Sequence, residues 1–117
     1  MSAQNKATVE AINEAFRQNN IHGFLDHCTE GITWNMIGQT NPLVGKDAIT
    51  AFMNGGGSTE GPELELYNVI ADGDKAAADG KMKMKKQDGS VYEGAFCDVY
   101  HFEGDKVARL DSYIIDL

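Results

Sequence analysis

Cysteine is scarce in this sequence. Cys28 and Cys97 are the only two among 117 residues, and a chain of this length can bury an adequate core without covalent cross-links. Two thiols do not make the disulfide framework that stabilises small secreted domains. We therefore expect both cysteines to be free, buried thiols.

Long apolar runs are also missing. No segment approaches the ~20 consecutive apolar residues of a membrane-spanning helix. The first sixteen residues, MSAQNKATVEAINEAF, lack the apolar stretch of a secretory signal peptide and have the pattern of a helix instead. The sequence thus predicts a cytoplasmic protein with no membrane partner.

Positive charge is in the minority. Ten Lys and Arg face eighteen Asp and Glu, which gives a net charge of −8. Such a balance opposes binding to phosphate backbones and to anionic lipid surfaces. Apart from a group of lysines between positions 81 and 86, the positive charge is scattered, so we expect no nucleic-acid partner.

Several catalytic and cofactor motifs are absent. There is no Gly-x-Ser-x-Gly, no Cys-x-x-Cys and no dinucleotide fingerprint. The glycine-rich segment 55–62 lacks the Gly-Lys-Ser/Thr of a phosphate-binding loop. His22 and His27 are five positions apart on a predicted helix, so they do not share a face suited to zinc. The sequence predicts neither a metal nor a cofactor.

What is present divides into a helical part and a strand-rich part. Val9, Ile12 and Phe16 recur at helical spacing. Helices are predicted at about 5–19, 21–28 and 46–53, and a strand at 32–37. Four further strands are predicted at 63–71, 75–87, 91–102 and 106–116, joined by Gly-containing turns typical of hairpins. The pattern predicts one α+β domain over residues 1–117, whose antiparallel meander curves around a pocket.

Three segments carry a resemblance to a known family. They are Ile32–Gly38, Pro42–Phe52 and Cys97–Val107, the last followed by Leu110 and Tyr113. Their order and spacing resemble the SnoaL-like polyketide cyclases of the nuclear-transport-factor-2-like and ketosteroid-isomerase-like superfamily. The resemblance implies a cone-shaped sheet, three N-terminal helices that close an apolar pocket, and a homodimer through the outer sheet face.

The resemblance leaves two classes of function open. The first is a cofactor-independent acid/base enzyme, of isomerase, cyclase, dehydratase or hydrolase type, that acts on a small apolar molecule. The second is a non-catalytic ligand-binding or dimerisation module, because the same fold hosts both.

Asp98 is the first candidate catalytic residue. In ketosteroid isomerases the matching acid stays protonated and donates a hydrogen bond to the substrate. Here Phe96 and Tyr100 flank Asp98 on its own face of the strand. Such neighbours desolvate a carboxyl and raise its pKa, so the alternatives are a general acid or a buried structural acid bonded to Asn35 or to a backbone amide.

Two other isomerase positions are changed. The residue that matches the general base is Asn35, which cannot accept a proton at a useful pH. The residue nearest to the oxyanion-binding tyrosine is Ile12. Both changes argue against steroid isomerisation and leave Asn35 as a group that orients a carbonyl or a water.

Asp79 and Lys81 allow two interpretations. Strand alternation alone puts the lysines in water and the row of Ala and Met in the core. Alignment of the hairpin to the superfamily through Asp98 instead turns Asp79 and Lys81 toward the pocket. Related limonene-type epoxide hydrolases carry an Arg and an Asp two apart on this strand, next to an Asn on the first strand. The remaining acid of those hydrolases appears here as Ser112.

The remaining predicted site residues would contact a ligand. Trp34 alternates with Asn35, so both cannot point into the cone, and Trp34 either packs in the core or stacks on the ligand. On the last strand, Arg109, Asp111 and Tyr113 are predicted to point outward. The predicted ligand contacts are Trp34, Phe96, Tyr100, Leu110, Ser112, Ile114, Ile12 and Phe16.

Overall fold

The computed structural model describes residues 2–38, 41–54, 62–86 and 88–117. Most of the predicted glycine-rich connector, residues 55–61, lies outside the described residues. The elements in chain order are α1 (Ser2–Arg17), α2 (Ile21–Leu25), β1 (Cys28–Met36), β2 (Leu43–Val44), α3 (Lys46–Asn54), β3 (Glu63–Asp72), β4 (Lys75–Lys85), β5 (Val91–Glu103) and β6 (Lys106–Asp116).

The strands form one curved six-stranded sheet in the order β2-β1-β6-β5-β4-β3. The predicted meander is confirmed, because β3 to β6 pair in sequence as antiparallel neighbours. β1 joins this meander parallel to β6. The α+β fold predicted from the sequence is therefore confirmed, with the short strand β2 added inside the predicted loop after β1.

Two of the tight turns follow the predicted chemistry. Asp72 pairs with Lys75, and Glu103 pairs with Lys106, so each hairpin closes over two residues. The first turn residue is Gly73 or Gly104, with φ of 61° and 64°. Such a positive φ suits glycine, which has no Cβ to clash.

The start of β1 differs from the prediction. Cys28, expected at the end of the second helix, opens β1 and pairs with Val107 of β6. Gly31, expected to interrupt the chain, lies inside the strand, where the register with β6 shifts between Cys28 and Thr33. The parallel partner strand thus imposes an extended conformation that local sequence did not indicate.

One of the irregularities in the sheet lies between β3 and β4. The register shifts between Leu66 and Asn68, which marks a β-bulge opposite Gly80 and Asp79. A Cβ on Gly80 would collide with the backbone carbonyl oxygen of Glu65. Because bulges bend the strand that carries them, the glycine permits the close backbone approach that this bend requires.

The sheet has an inner and an outer face. Along each strand successive side chains alternate between the two, and the inner face is the one covered by α1 and the other helices. It carries the buried apolar core, to which the helices add Val9, Ile12, Phe24 and Ile49. Both thiols are free, as predicted. Cys28 is buried, whereas Cys97 lies half-buried on the outer face, so the prediction that both are buried is wrong for Cys97.

None of the helices in the described part of the chain is long and apolar enough to cross a membrane.

Candidate functional site

Asp98 lies on the inner face of β5, near the centre of the sheet. It pairs across the ladders with Ala78 of β4 and Ser112 of β6, and it is 9% exposed. The expected neighbours on its own face, Phe96 and Tyr100, are both buried. Desolvation by this burial raises the pKa of the Asp98 carboxyl to about 7.

Ser112 is the hydrogen-bond partner of Asp98. Its hydroxyl bonds the carboxyl and favours the ionised form, which offsets part of the rise in the pKa of Asp98. The indole Nε1 of Trp34 donates to Ser112 Oγ over 2.9 Å. The three side chains therefore form one buried chain of hydrogen bonds. The partner of Asp98 is Ser112, whereas the sequence analysis expected Asn35 or a backbone amide.

Tyr100 and Asn13 make a second polar contact under helix α1. Asn13 Nδ2 donates to the Val9 carbonyl oxygen over 2.9 Å and to Tyr100 Oη over 3.4 Å. Burial, followed by the charge of Asp98, raises the pKa of the Tyr100 phenol well above its ordinary value. The sequence analysis did not identify Asn13. An asparagine next to Ile12 on the buried side of a helix indicates a buried hydrogen-bond partner, because buried polar groups are hydrogen-bonded.

An aromatic cluster surrounds Trp34. Its ring is stacked on Phe16 at a centroid distance of 6.1 Å and meets Phe24 and Phe52 edge-on at 5.6 and 6.2 Å. Trp34 itself is 9% exposed, whereas Phe52 of α3 is 46% exposed. The sequence allowed Trp34 either to pack in the core or to stack on a ligand, and its buried position matches packing in the core. Phe24 and Phe52 are further neighbours that the sequence analysis did not predict.

The other predicted ligand contacts divide by depth. Ile12 and Leu110 are fully buried in the core. Ile114 follows Ser112 on the inner side of β6, opposite Phe96, and is half-buried. Phe96 is buried, so Ile114 and Phe16 are the predicted apolar contacts that are only half-buried.

Asn35 does not lie beside Asp98. It pairs with Asp111 of β6, and the neighbouring Trp34 occupies the inner face through its bond to Ser112. Because adjacent side chains of a strand point to opposite faces, Asn35 lies on the outer face. The predicted pairing of Asn35 with Asp98 is wrong.

The inward placement of Asp79 and Lys81 is also wrong. Residues directly opposite each other in a ladder share a face, and Asp98 pairs with Ala78 while Asp79 pairs with Cys97. Asp79 and Lys81 therefore lie on the outer face, as strand alternation alone indicated. The alignment to the superfamily through Asp98 failed because it shifted this strand by one residue, which moves every side chain to the opposite face.

The outer face carries its own polar cluster. Asp111 is 8% exposed; one carboxylate oxygen accepts from Arg109 Nε over 2.8 Å, and the other lies 3.2 Å from His101 Nε2. The outward orientation predicted for Arg109, Asp111 and Tyr113 is confirmed. Asp98 and Asp111 are the buried acids among the described residues, and the sheet separates them.

An open hollow of about 360 Å³ lies on the outer face, away from Asp98. Ile70, Tyr113 and Ile115 border it, and all three are strongly exposed apolar side chains. Asp79 and Cys97 also line it, and burial, with the charges of Asp98 and Asp79, raises the pKa of the Cys97 thiol. The hollow is thus mainly an apolar surface with few groups capable of chemistry.

Metal binding finds no support in the described ranges. They contain no group of three or more His, Cys, Asp or Glu side chains placed to hold an ion. Among the described residues Asp98 is the buried carboxyl of the inner face, and its arrangement suits proton transfer or hydrogen bonding to a neutral ligand.

Solved structures share this fold. An NTF2-like protein of unknown function from Cytophaga hutchinsonii is 26% identical, with a TM-score of 0.76 over 94% of this chain and 98% of the other. An NTF2-like protein of unknown function from Burkholderia pseudomallei is 21% identical, with a TM-score of 0.86 and coverage of 98% and 92%. An LEH-like epoxide hydrolase from M. tuberculosis is 12% identical, with a TM-score of 0.84 and coverage of 97% and 84%.

Among curated proteins, none matches the sequence. The model of the SnoaL-like domain matches residues 9–110, a range that includes α2, α3 and most of the sheet as well as Asn13, Trp34 and Asp98. The chain therefore belongs to the SnoaL-like domain family.

Proposed function

We propose that this protein is a cofactor-independent enzyme of isomerase or cyclase type, in which Asp98 transfers a proton within a small, mostly apolar substrate. The observation that carries the proposal is the burial of Asp98 among Phe96, Tyr100 and Ala78. A carboxyl whose pKa lies near 7 is present in both protonation states at neutral pH. It is therefore able both to accept and to return a proton.

A single acid/base group favours internal proton transfer over hydrolysis. Activation of a water and protonation of a leaving oxygen usually need two groups. The core-facing described residues of β1 are Cys28, Ile32, Trp34 and Met36, which carry no carboxyl. Because Asp79 and Lys81 lie on the outer face, the acid-base pair expected for a hydrolase does not form around Asp98.

The surroundings of Asp98 support an apolar substrate. Phe96 is buried beside Asp98, Ile114 and Phe16 are half-buried on the inner side, and Phe52 presents an exposed ring beside Trp34. These groups offer apolar and aromatic contact but no charge. A small enolisable carbonyl compound would place its polar atom at Asp98 and its hydrocarbon part against these rings.

Deuterium exchange tests the reaction directly. Small apolar ketones, unsaturated ketones and 1,3-diketones would be screened for binding by thermal shift, and the binders incubated with the protein in D₂O. We expect protein-dependent exchange of a carbon-bound proton, followed by NMR, and a loss of at least 100-fold in Asp98→Asn. Equal exchange in wild type and Asp98→Asn would reject the proposal.

Asp79→Asn is the matched control. It makes the same chemical change on the outer face, at the residue that follows Ala78, the partner of Asp98 in the β4–β5 ladder. We expect it to retain the exchange rate of the wild type. A loss in Asp79→Asn equal to that in Asp98→Asn would show that the effect does not depend on the inner face.

The alternative is a non-catalytic ligand-binding or dimerisation module. The exposed apolar side chains of Ile70, Tyr113 and Ile115 on the outer face favour association, and we propose that a second copy of the chain covers this face. Compounds that bind without any proton exchange would support the module. A homodimer is compatible with both functions, and a cytoplasmic location stays a prediction from the sequence.

A further inference from the structure

We propose that Ser112 and Trp34 are positioning residues: the indole N–H of Trp34 fixes the Ser112 hydroxyl so that its hydrogen points at the Asp98 carboxyl. This inference rests on the proposed role of Asp98. It replaces the expectation that Ser112 and Trp34 contact the ligand themselves. Their effect on the reaction would be exerted through the orientation and the charge of Asp98.

The strand register brings the three side chains together. Ser112 lies directly opposite Asp98 in the β5–β6 ladder. Trp34 pairs with Leu110, two residues before Ser112, in the parallel β1–β6 ladder. The large indole spans this diagonal step, which places Nε1 2.9 Å from Ser112 Oγ. The contact joins positions 78 residues apart in sequence.

The direction of the hydrogen bonds follows from the donor inventory. The indole N–H only donates, whereas a hydroxyl has one hydrogen and accepts through its oxygen. Since Ser112 Oγ accepts from Trp34, its single hydrogen remains for Asp98. A carboxylate that accepts a hydrogen bond is stabilised in its charged form, in agreement with the effect of Ser112 on the pKa of Asp98.

Burial and packing keep this arrangement in place. Ser112 is 4% exposed, and neither Trp34 nor Asp98 exceeds 9%, so water competes little for these bonds. The Trp34 ring is held by Phe16, Phe24 and Phe52. Polarisation along such a chain strengthens each bond, so loss of the indole N–H should weaken the bond from Ser112 to Asp98.

A carboxyl-¹³C NMR titration of the unliganded protein tests the inference. The Asp98 signal is identified by its loss in Asp98→Asn. The matched pair is Ser112→Val and Ser112→Thr, which have similar volume but differ in the hydroxyl. We expect Ser112→Val to raise the pKa of Asp98 by about one unit and Ser112→Thr to restore it, while Trp34→Phe raises it by less.

Each outcome bears on the proposal. An unchanged pKa in Ser112→Val, or equal shifts in the Val and Thr variants, would overturn the role of Ser112, since the hydroxyl would then be irrelevant. An unchanged pKa in Trp34→Phe would overturn the role of Trp34. If Ser112→Val does not fold, Ser112→Ala provides the same comparison against wild type. Because the titration needs no substrate, its failure is distinguishable from a failure of the proposed enzymatic function.

Discussion

Asp98 and Asp111 are both nearly buried, yet they lie on opposite faces of the same sheet in very different surroundings. Asp111 has the cationic Arg109 and the ring of His101 as partners. Asp98 has the neutral hydroxyl of Ser112 and apolar neighbours. Since a buried carboxylate is stabilised by a cationic partner, Asp98 is the carboxyl whose burial favours the neutral form.

Replacement of Asp98 should change how stability depends on pH. A rise of the pKa from 3.8 to about 7 means that ionised Asp98 costs the folded state about 4 kcal/mol. The favourable contribution of the neutral acid is complete below pH ~4 and is lost as the pH rises to ~7. Asp98→Asn should therefore be more stable than wild type at pH 8 by up to about 4 kcal/mol.

Urea unfolding at pH 4 and pH 8 measures this difference. At pH 4 the two proteins should be nearly equally stable, because Asp98 is then mostly neutral. Asp79→Asn on the outer face should follow the wild type at both values. If the free energies of unfolding of Asp98→Asn and wild type differed by the same amount at pH 4 and pH 8, the desolvated environment assigned to Asp98 would be contradicted.

Gly80→Ala should destabilise the sheet at its bend. The added methyl would collide with the carbonyl oxygen of Glu65, and backbone on both sides limits the available relief. We expect a loss of at least ~2 kcal/mol in the free energy of unfolding. Gly31→Ala is the control, because no atom lies within 4 Å of a Cβ there. A loss in Gly80→Ala no larger than in Gly31→Ala would show that the bend tolerates a side chain.

Asn13 and Tyr100 should respond asymmetrically to truncation. Tyr100→Phe leaves Asn13 Nδ2 bonded to the Val9 carbonyl oxygen, so we expect a loss below ~1 kcal/mol. Asn13→Ala leaves the fully buried Tyr100 hydroxyl without that donor, and we expect a loss of about 1–3 kcal/mol. In thermal unfolding the double variant should be less destabilised than the sum of the two. Additive losses would argue against a direct contact.

Ile115→Lys should weaken self-association through the outer face. Ile115 is 67% exposed beside the apolar hollow, and two lysines brought together by a dimer would desolvate and repel each other. Sedimentation equilibrium should show a dimer for wild type and a raised dissociation constant for the variant. Met84→Lys, on the inner side of β4, is the control and should remain dimeric. A wild-type monomer would reject the proposed interface.

Much of the fold was predictable from the sequence because it depends on local signals. Gly73 and Gly104 mark hairpins with a backbone conformation that glycine favours, and the alternation around Asp98 identified its buried neighbours. The parallel pairing of β1 with β6 was not visible in this way. Its register depends on contacts between distant segments, and for that reason the start of β1 at Cys28 was missed.

The site was predicted only in part for the same physical reason. Asp98, Ser112 and Trp34 were each identified, but their mutual contact depends on the register of three strands. Asn35 and Asp79 were placed with Asp98 by resemblance to related enzymes, and a difference of one strand position moved both to the outer face. Asn13 was missed because its partner, Tyr100, lies 87 residues away.

The protonation of Asp98 is the central claim, and its titration in the wild-type protein is the most direct test. The carboxyl-¹³C shift of Asp98, assigned through Asp98→Asn, would be followed between pH 3 and pH 9. We expect a midpoint at about 7, the value set by desolvation on the inner face. A midpoint near ~4, the ordinary value of an aspartic acid, would contradict both the buried environment and the proposed proton transfer.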